Sequence, residues 1–179
     1  MTHTPDADAP VETVWAGRFL TAKKRGRWEY VSRVGGISAV VIVAIDDGHV
    51  LLVDQYRVPL GKRCLELPAG LIGDEAGHEG DSAIEAAARE LDEETGYRAD
   101  KITVLGEFFS SPGMASEGFT LVRAEGLTRI GDGGGVAGED IIVHRVPLAT
   151  LPDFVAAKRA EGMAMDVKLL LLLASSMLG

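Results

Sequence analysis

The sequence has one cysteine, few aromatic residues, less base than acid and no apolar run long enough to span a bilayer. Each shortage excludes something. Cys64 alone cannot form an internal disulfide, which fits a reducing compartment. Lys and Arg number 18 against 27 Asp and Glu, a formal net charge of -9. Such a chain is a poor general binder of nucleic acid, which needs clustered cations. The most apolar stretch, Leu169 to Ala174, follows Asp166 and Lys168 and is far short of the roughly 20 residues a membrane helix needs. It reads as a buried helix or a helix at a subunit interface. Residues 1–10 carry no basic segment followed by an apolar run, so they are not a signal peptide. They read as a disordered lead-in, and the expectation is a soluble cytoplasmic protein that binds neither membrane nor nucleic acid.

What remains is globular. The chain has 179 residues and is 46% hydrophobic, enough for one domain over 11–179 with a sizeable core. The 22 glycines and 7 prolines imply many turns and at least one flexible loop. If the substrate is an anion, something cationic must screen it in so acidic a chain. Divalent metal is the obvious candidate, because hard cations prefer carboxylate oxygens.

Val11 to Leu20 and Arg27 to Arg33 read as two strands joined by a basic turn, Lys23-Lys24-Arg25-Gly26. Ile37 to Ile45 is apolar and β-branched, a buried strand. Asp46-Asp47-Gly48 is a hairpin signal, and His49 to Tyr56 is the partner strand. After a polar, glycine-containing loop, Ser82 and Glu85 form a capping box that opens a helix. Ile84, Ala87, Ala88 and Leu91 give that helix an apolar face, and Gly96 ends it in the left-handed conformation. Strands are expected at Ile102 to Phe109, Phe119 to Ala124 and Ile141 to Val146, and helices at Leu151 to Glu161 and Met165 to Met177. The order of elements is that of one mixed α/β domain.

The helix is where the local rules break. Glu90 and Glu94 are four apart, on one face, and their stripe should border the apolar one. Like charges so placed cost about 0.2–0.5 kcal/mol per pair. Glu93 and Glu94 also sit in the last turn, where the helix dipole disfavours anions. A divalent cation removes both penalties, whereas an exposed acidic face softened by an Arg89–Glu93 pair would merely tolerate them.

Arg89-Glu90-Leu91-Asp92-Glu93-Glu94-Thr95-Gly96-Tyr97 resembles the C-terminal half of the Nudix box, and Leu67-Pro68-Ala69-Gly70 resembles its start. The resemblance implies an α/β/α sandwich with a mixed β-sheet, here preceded by N-terminal strands, and a strand-loop-helix site for Mg²⁺ or Mn²⁺. It also implies hydrolysis of a nucleoside diphosphate linked to another group. Glu90, Glu94 and the main-chain carbonyl of Ala69 become the expected metal ligands, with Arg89 and Glu93 in the catalytic set. The pattern departs in the middle. Asp81 stands where the family has a glutamate, and the loop from Gly70 to Asp81 is five residues longer than the family's. Three outcomes stay open: Asp81 supports Arg89 and the metal site, Glu79 takes over, or activity is reduced.

Several stretches resemble the ADP-ribose pyrophosphatase branch. They are Leu67-Pro68-Ala69-Gly70, Gln55-Tyr56-Arg57, and Ser110-Ser111-Pro112-Gly113-Met114 followed by Glu117. The branch implies hydrolysis of ADP-ribose to AMP and ribose 5-phosphate; another nucleoside diphosphate sugar, such as a GDP- or UDP-hexose, and a non-catalytic nucleotide-binding role stay open. It assigns Arg57, Met114 and Glu117 to substrate, and Trp28 and Trp15 to base stacking, roles that compete with core packing for the two tryptophans. Glu139, at the end of the glycine-rich loop, is the candidate general base, with a box glutamate as the alternative. The glycines suit a loop that closes over substrate. The branch also implies a homodimer, with strands in 11–34 exchanged at its interface.

Overall fold

The computed structural model describes residues 5–73 and 77–178. In chain order it contains β1 (Val11–Ala16), β2 (Leu20–Arg25), β3 (Trp28–Arg33), β4 (Ala39–Asp46), β5 (His49–Arg57), β6 (Lys62–Glu66), β7 (Ala69–Leu71), α1 (Ala83–Thr95), β8 (Tyr97–Phe109), β9 (Gly118–Arg129), β10 (Ile142–Pro147), α2 (Leu151–Ala160), β11 (Ala164–Met165) and α3 (Leu170–Leu178).

Why β4 is apolar at nearly every position becomes clear from its two faces. Val40, Ile42 and Ala44 pack with Leu51, Val122 and Ala124 against Ala86, Ala87 and Leu91 of α1. Val41 and Val43 pack with Leu52 and Leu65 against Leu151 and Val155 of α2 and Leu173 of α3. Successive strand residues point to opposite faces, so a strand covered on both sides must be apolar throughout. The result is a mixed sheet between α1 and the α2–α3 pair, the sandwich expected. Its strand order is β11-β6-β5-β4-β9-β8, with β10 on β5 and β7 on β4. The β4–β9 and β6–β11 pairings are parallel and the others antiparallel.

The sheet splits at β4. That strand pairs with β5 only at Ile45 and Asp46, beside the hairpin, and with β7 over Ala39 to Val41. Farther along, β5 pairs with β6 from Val53 to Arg57 instead, while β10 runs beside it from His49 to Asp54. The mouth of this split is where the site lies.

Three local expectations change. The N-terminal region has three strands, not two: Lys23 to Arg25 lie within β2, and the turn into β3 falls at Gly26, whose φ is +57°. The basic residues misled because charges on an exposed edge sheet look like a turn. Ile84 and Ala88 are exposed; the buried positions of α1 are Ala86, Ala87, Leu91, Glu94 and Thr95. The Glu90–Glu94 stripe therefore runs within the buried face instead of beside it. The last helix begins at Leu170, with Leu169 and Leu173 in the core while Leu170 and Leu171 are exposed.

The capping box holds, with Glu85 N donating to Ser82 Oγ at 3.3 Å and Ser82 N donating to Glu85 Oε2 at 2.8 Å. Residues 5–10 turn back onto the β2–β3 hairpin, where Arg25 Nε donates to Ala9 O at 3.0 Å and Arg27 Nε to Asp6 Oδ2 at 2.9 Å. Residues 1–4, and residues 74–76 of the lengthened loop, lie outside the described residues. Burial pushes the Cys64 thiol up to about 12, so it is no nucleophile at neutral pH. Among the described residues no helix is long and apolar enough to cross a membrane.

Candidate active site

A cavity of about 440 Å³ opens at the split in the sheet, lined by Ala69 and Gly70 of β7, Glu90, Glu93 and Glu94 of α1, Gln55 and Arg57 of β5, and Glu66, Glu117 and Glu139. Most of the predicted site thus comes together from segments far apart in the chain. The helix is the anchor. Ala83, Ala86, Ala87, Glu90, Leu91 and Glu94 repeat at helical spacing toward the sheet, so the stripe that packs the helix also delivers the carboxylates.

Gly70 makes this approach feasible, because a Cβ there would overlap the carboxyl of Glu90. Glu94 is the most confined of the helix carboxylates, 7% exposed, and Ala69 N donates to its Oε2 at 3.0 Å. Burial pushes its pKa up to about 8, the Ala69 amide pulls the other way, and the neighbouring charges of Glu90 and Glu139 add to the rise. Glu139 is therefore close enough to be felt by Glu94.

Arg89 is nearly buried and knits the group together. Its Nη1 donates to Glu90 Oε1 at 3.0 Å and lies 3.7 Å from Glu93 Oε2, and its Nη2 donates to Leu71 O at 3.4 Å. Of the two candidates Asp81 lies nearer to Arg89, although its carboxylate also meets His78 Nδ1 at 3.1 Å. Asp81 Oδ2 lies 3.8 Å from Arg89 Nε, whereas Glu79 accepts from Gly77 N at 3.0 Å in its own loop.

Glu66 was missed. It sits on β6 at the cavity wall, buried, and takes both arms of Arg57 at 2.6 and 2.8 Å. That fork raises the guanidinium pKa further. An acid inside Cys64-Leu65-Glu66-Leu67 was the available signal, since a charge in a buried strand needs a partner or a purpose. Glu117 pairs with Arg33, also unforeseen.

The glycine-rich loop differs from expectation. It is strapped to the C-terminal end of α1. Gly134 N donates to Glu94 O and Gly135 N to Glu93 O, each at 2.9 Å, and Ile130 N and Gly131 N donate to Gly96 O. These bonds satisfy helix carbonyls that otherwise lack partners. At Gly133, φ is +66° and a Cβ would overlap the Thr95 main chain. Close packing accounts for Gly133 and Gly135, whereas Gly138 stands in open space. Gly133→Ala should cost about 1–3 kcal/mol of stability, read from urea unfolding. An unchanged midpoint would show that the strap contributes little.

The single chain does not bring Trp28, Trp15 or Met114 to this cavity. Trp28 lines a separate hollow of about 310 Å³ with Arg25, Tyr30, Pro112 and Gly113. Trp15 and Met114 are largely exposed, and Met114 O accepts from Val31 N at 3.0 Å. The stacking expectation came with strands exchanged in a dimer, and one copy of the chain carries both tryptophans away from the cavity.

The donor set suits a hard divalent cation: carboxylate oxygens and main-chain carbonyls, with Glu94 paying a burial penalty that a cation would remove. Among the described residues no three such side chains are already drawn into a closed metal cage. Residues 36–161 match the family model of the NUDIX domain.

The chain belongs to the NUDIX domain family.

Among NUDIX relatives, the ADP-ribose pyrophosphatase of Bacillus subtilis (strain 168) is 36% identical over 105 residues, 59% of this chain and 53% of that protein. The ADP-ribose pyrophosphatase of Mycobacterium tuberculosis (strain ATCC 25618 / H37Rv) is 44% identical over 94 residues, 52% of this chain and 44% of that protein. The chain spans about half the length of the relatives it matches in sequence. A crystal structure of an ADP compounds hydrolase superposes with a TM-score of 0.70 and 28% identity, covering 94% of this chain and 91% of that one. The likeness to that structure therefore extends through nearly the whole chain.

Proposed function

We propose that the chain hydrolyses the diphosphate bond of ADP-ribose to AMP and ribose 5-phosphate with Mg²⁺, for which Mn²⁺ substitutes. One observation carries this reading. Six glutamates, Glu66, Glu90, Glu93, Glu94, Glu117 and Glu139, line the cavity against three cations, and each cation is already paired. Arg33 is on Glu117, Arg57 on Glu66 and Lys168 on Asp166. A doubly charged diphosphate is repelled from such a wall unless a cation comes with it. The ADP-ribose pyrophosphatases among the relatives support the choice of substrate.

A divalent ion held by Glu90, Glu94 and the Ala69 main chain would activate water and neutralise charge on the phosphoryl oxygens. Glu139 accepts the proton as water attacks one phosphorus and the bond to the bridging oxygen breaks. Arg89 holds Glu90 and Glu93 in place. Arg57 and Glu117 border the substrate, and their ion pairs would have to open or be shared for direct contact.

Trp28 and Trp15 bind substrate in this reading only if a second copy presents them. The exposed apolar residues of the N-terminal sheet, Val11, Val14, Trp15, Leu20 and Trp28, favour a homodimer. The lone buried cysteine fits a cytoplasmic setting.

The test is a panel of ADP-ribose and GDP- and UDP-sugars with Mg²⁺ or Mn²⁺, products separated chromatographically. AMP and ribose 5-phosphate should appear from ADP-ribose and vanish with chelator. Turnover that survives chelator, or a preference for a GDP- or UDP-hexose, would overturn the assignment.

A further inference from the structure

We propose that Arg63, seated on the buried Asp54, is a positioning residue that holds Glu139 at the cavity; this rests on Glu139 being the general base. Asp54 is 2% exposed in the middle of β5, an expensive place for a carboxylate. It is met from two sides. Arg63 Nε, on β6, donates to Asp54 Oδ1, and Arg63 Nη2 donates to Asp54 O at 2.7 Å. His144 Nε2, on β10, lies 2.5 Å from Asp54 Oδ2. The core pair leaves the outer edge of the guanidinium facing the end of the glycine-rich loop. There Nη1 donates to Asp140 Oδ2 at 2.8 Å and Nη2 to Asp140 O at 2.9 Å.

Asp140 is the residue after Glu139 and sits at φ +50°, a region that Asp and Asn enter more readily than most residues. Gln55 Nε2 adds a bond to Glu139 O at 3.2 Å. The front of the loop is strapped to α1 and the back is gripped by Arg63 and Gln55, so Glu139 is fixed between two anchors. A planar fork spans Asp54 and Asp140 at once; a lysine's single ammonium cannot. The buried pair thus reaches the chemistry through two hydrogen bonds to the neighbour of the base.

Two variants separate this from a loss of folding. Arg63→Lys keeps a cation for Asp54 and drops the fork; Asp140→Asn alters only an exposed side chain and tolerates positive φ. Arg63→Lys should lower kcat for ADP-ribose with Mg²⁺ roughly 10–100-fold and change KM less than about threefold, because misplacing a reacting group falls on kcat. In a Glu139→Gln background the same change should cost less than about twofold. Amide exchange at Val136, Glu139 and Ile141 should quicken in Arg63→Lys, and more weakly in Asp140→Asn. Equal kcat losses in both backgrounds, or unaltered exchange in both variants, would overturn the proposal. If Glu139→Gln alone leaves kcat unchanged, the base assignment fails and the positioning role fails with it. If exchange quickens in that case, Arg63 holds the loop for stability alone.

Discussion

Glu94→Gln should abolish metal-dependent turnover and, in the same protein, make the metal-free chain more stable. Both effects come from one burial. Glu94 lies on the packed face of α1 with Glu90 and Glu139 as like-charged neighbours, and its pKa is pushed up to about 8 from an ordinary 4.5. Between those two values the folded state keeps a proton that the unfolded chain has released. Stability of the metal-free protein therefore falls as pH rises from about 4.5 to 8 and levels off above. Glutamine has no proton to lose. The gap in melting temperature between variant and parent should open across that window and be largest above pH 8. Turnover should fall about 10³-fold or more, since the substitution removes an anionic ligand worth several kcal/mol of charge stabilisation. Glu90→Gln should match the loss of turnover. Circular dichroism melts from pH 5 to 9, beside steady-state rates, check both halves. A variant that is active, or one less stable than its parent at pH 8.5, would contradict the reading of Glu94.

Glu139→Gln should lower kcat by about 10²–10⁴-fold with KM nearly unchanged, the range for removing a general base. Its side chain is held in place for this: Oε2 accepts from Val136 N at 2.9 Å, and Gly135 leaves the room it occupies. Glutamine keeps the shape and loses the acceptor strength. Folding should be untouched, because Glu139 is partly exposed at the cavity rim. A full rate in this variant would move the base to a box glutamate, with Glu93 the one less buried and so better placed to exchange protons with solvent.

Features set by near neighbours in sequence were legible before the fold was known. The Asp46-Asp47-Gly48 turn forms with Asp47 and Gly48 at φ +47° and +68°. The Ser82–Glu85 box and the left-handed Gly96 bound α1 as read. The carboxylates of α1 and Ala69 meet in one cavity because the motif spacing encodes their meeting, whereas Glu139 arrives there through contacts across the chain. What was hidden depends on pairings across the chain. Arg57 with Glu66, Arg63 with Asp54 and Asp140, and Arg33 with Glu117 leave no periodic trace, since each is fixed by strand register or loop placement. The glycine-rich loop carried an ambiguous signal. Glycine marks both flexibility and close approach, and only the packing against Thr95 and Glu94 separates them. The tryptophans show another limit: an aromatic in an edge sheet looks alike whether it stacks on a base, a partner or nothing.

The claim on which the account stands is that α1 presents carboxylates to a divalent cation at the split in the sheet. Anomalous scattering from crystals soaked in Mn²⁺ tests it directly. A manganese peak bounded by Glu90, Glu94 and the Ala69 carbonyl is expected, and it should be lost in Glu94→Gln. A cavity without manganese in crystals whose dissolved protein hydrolyses ADP-ribose under the same Mn²⁺ concentration would contradict it.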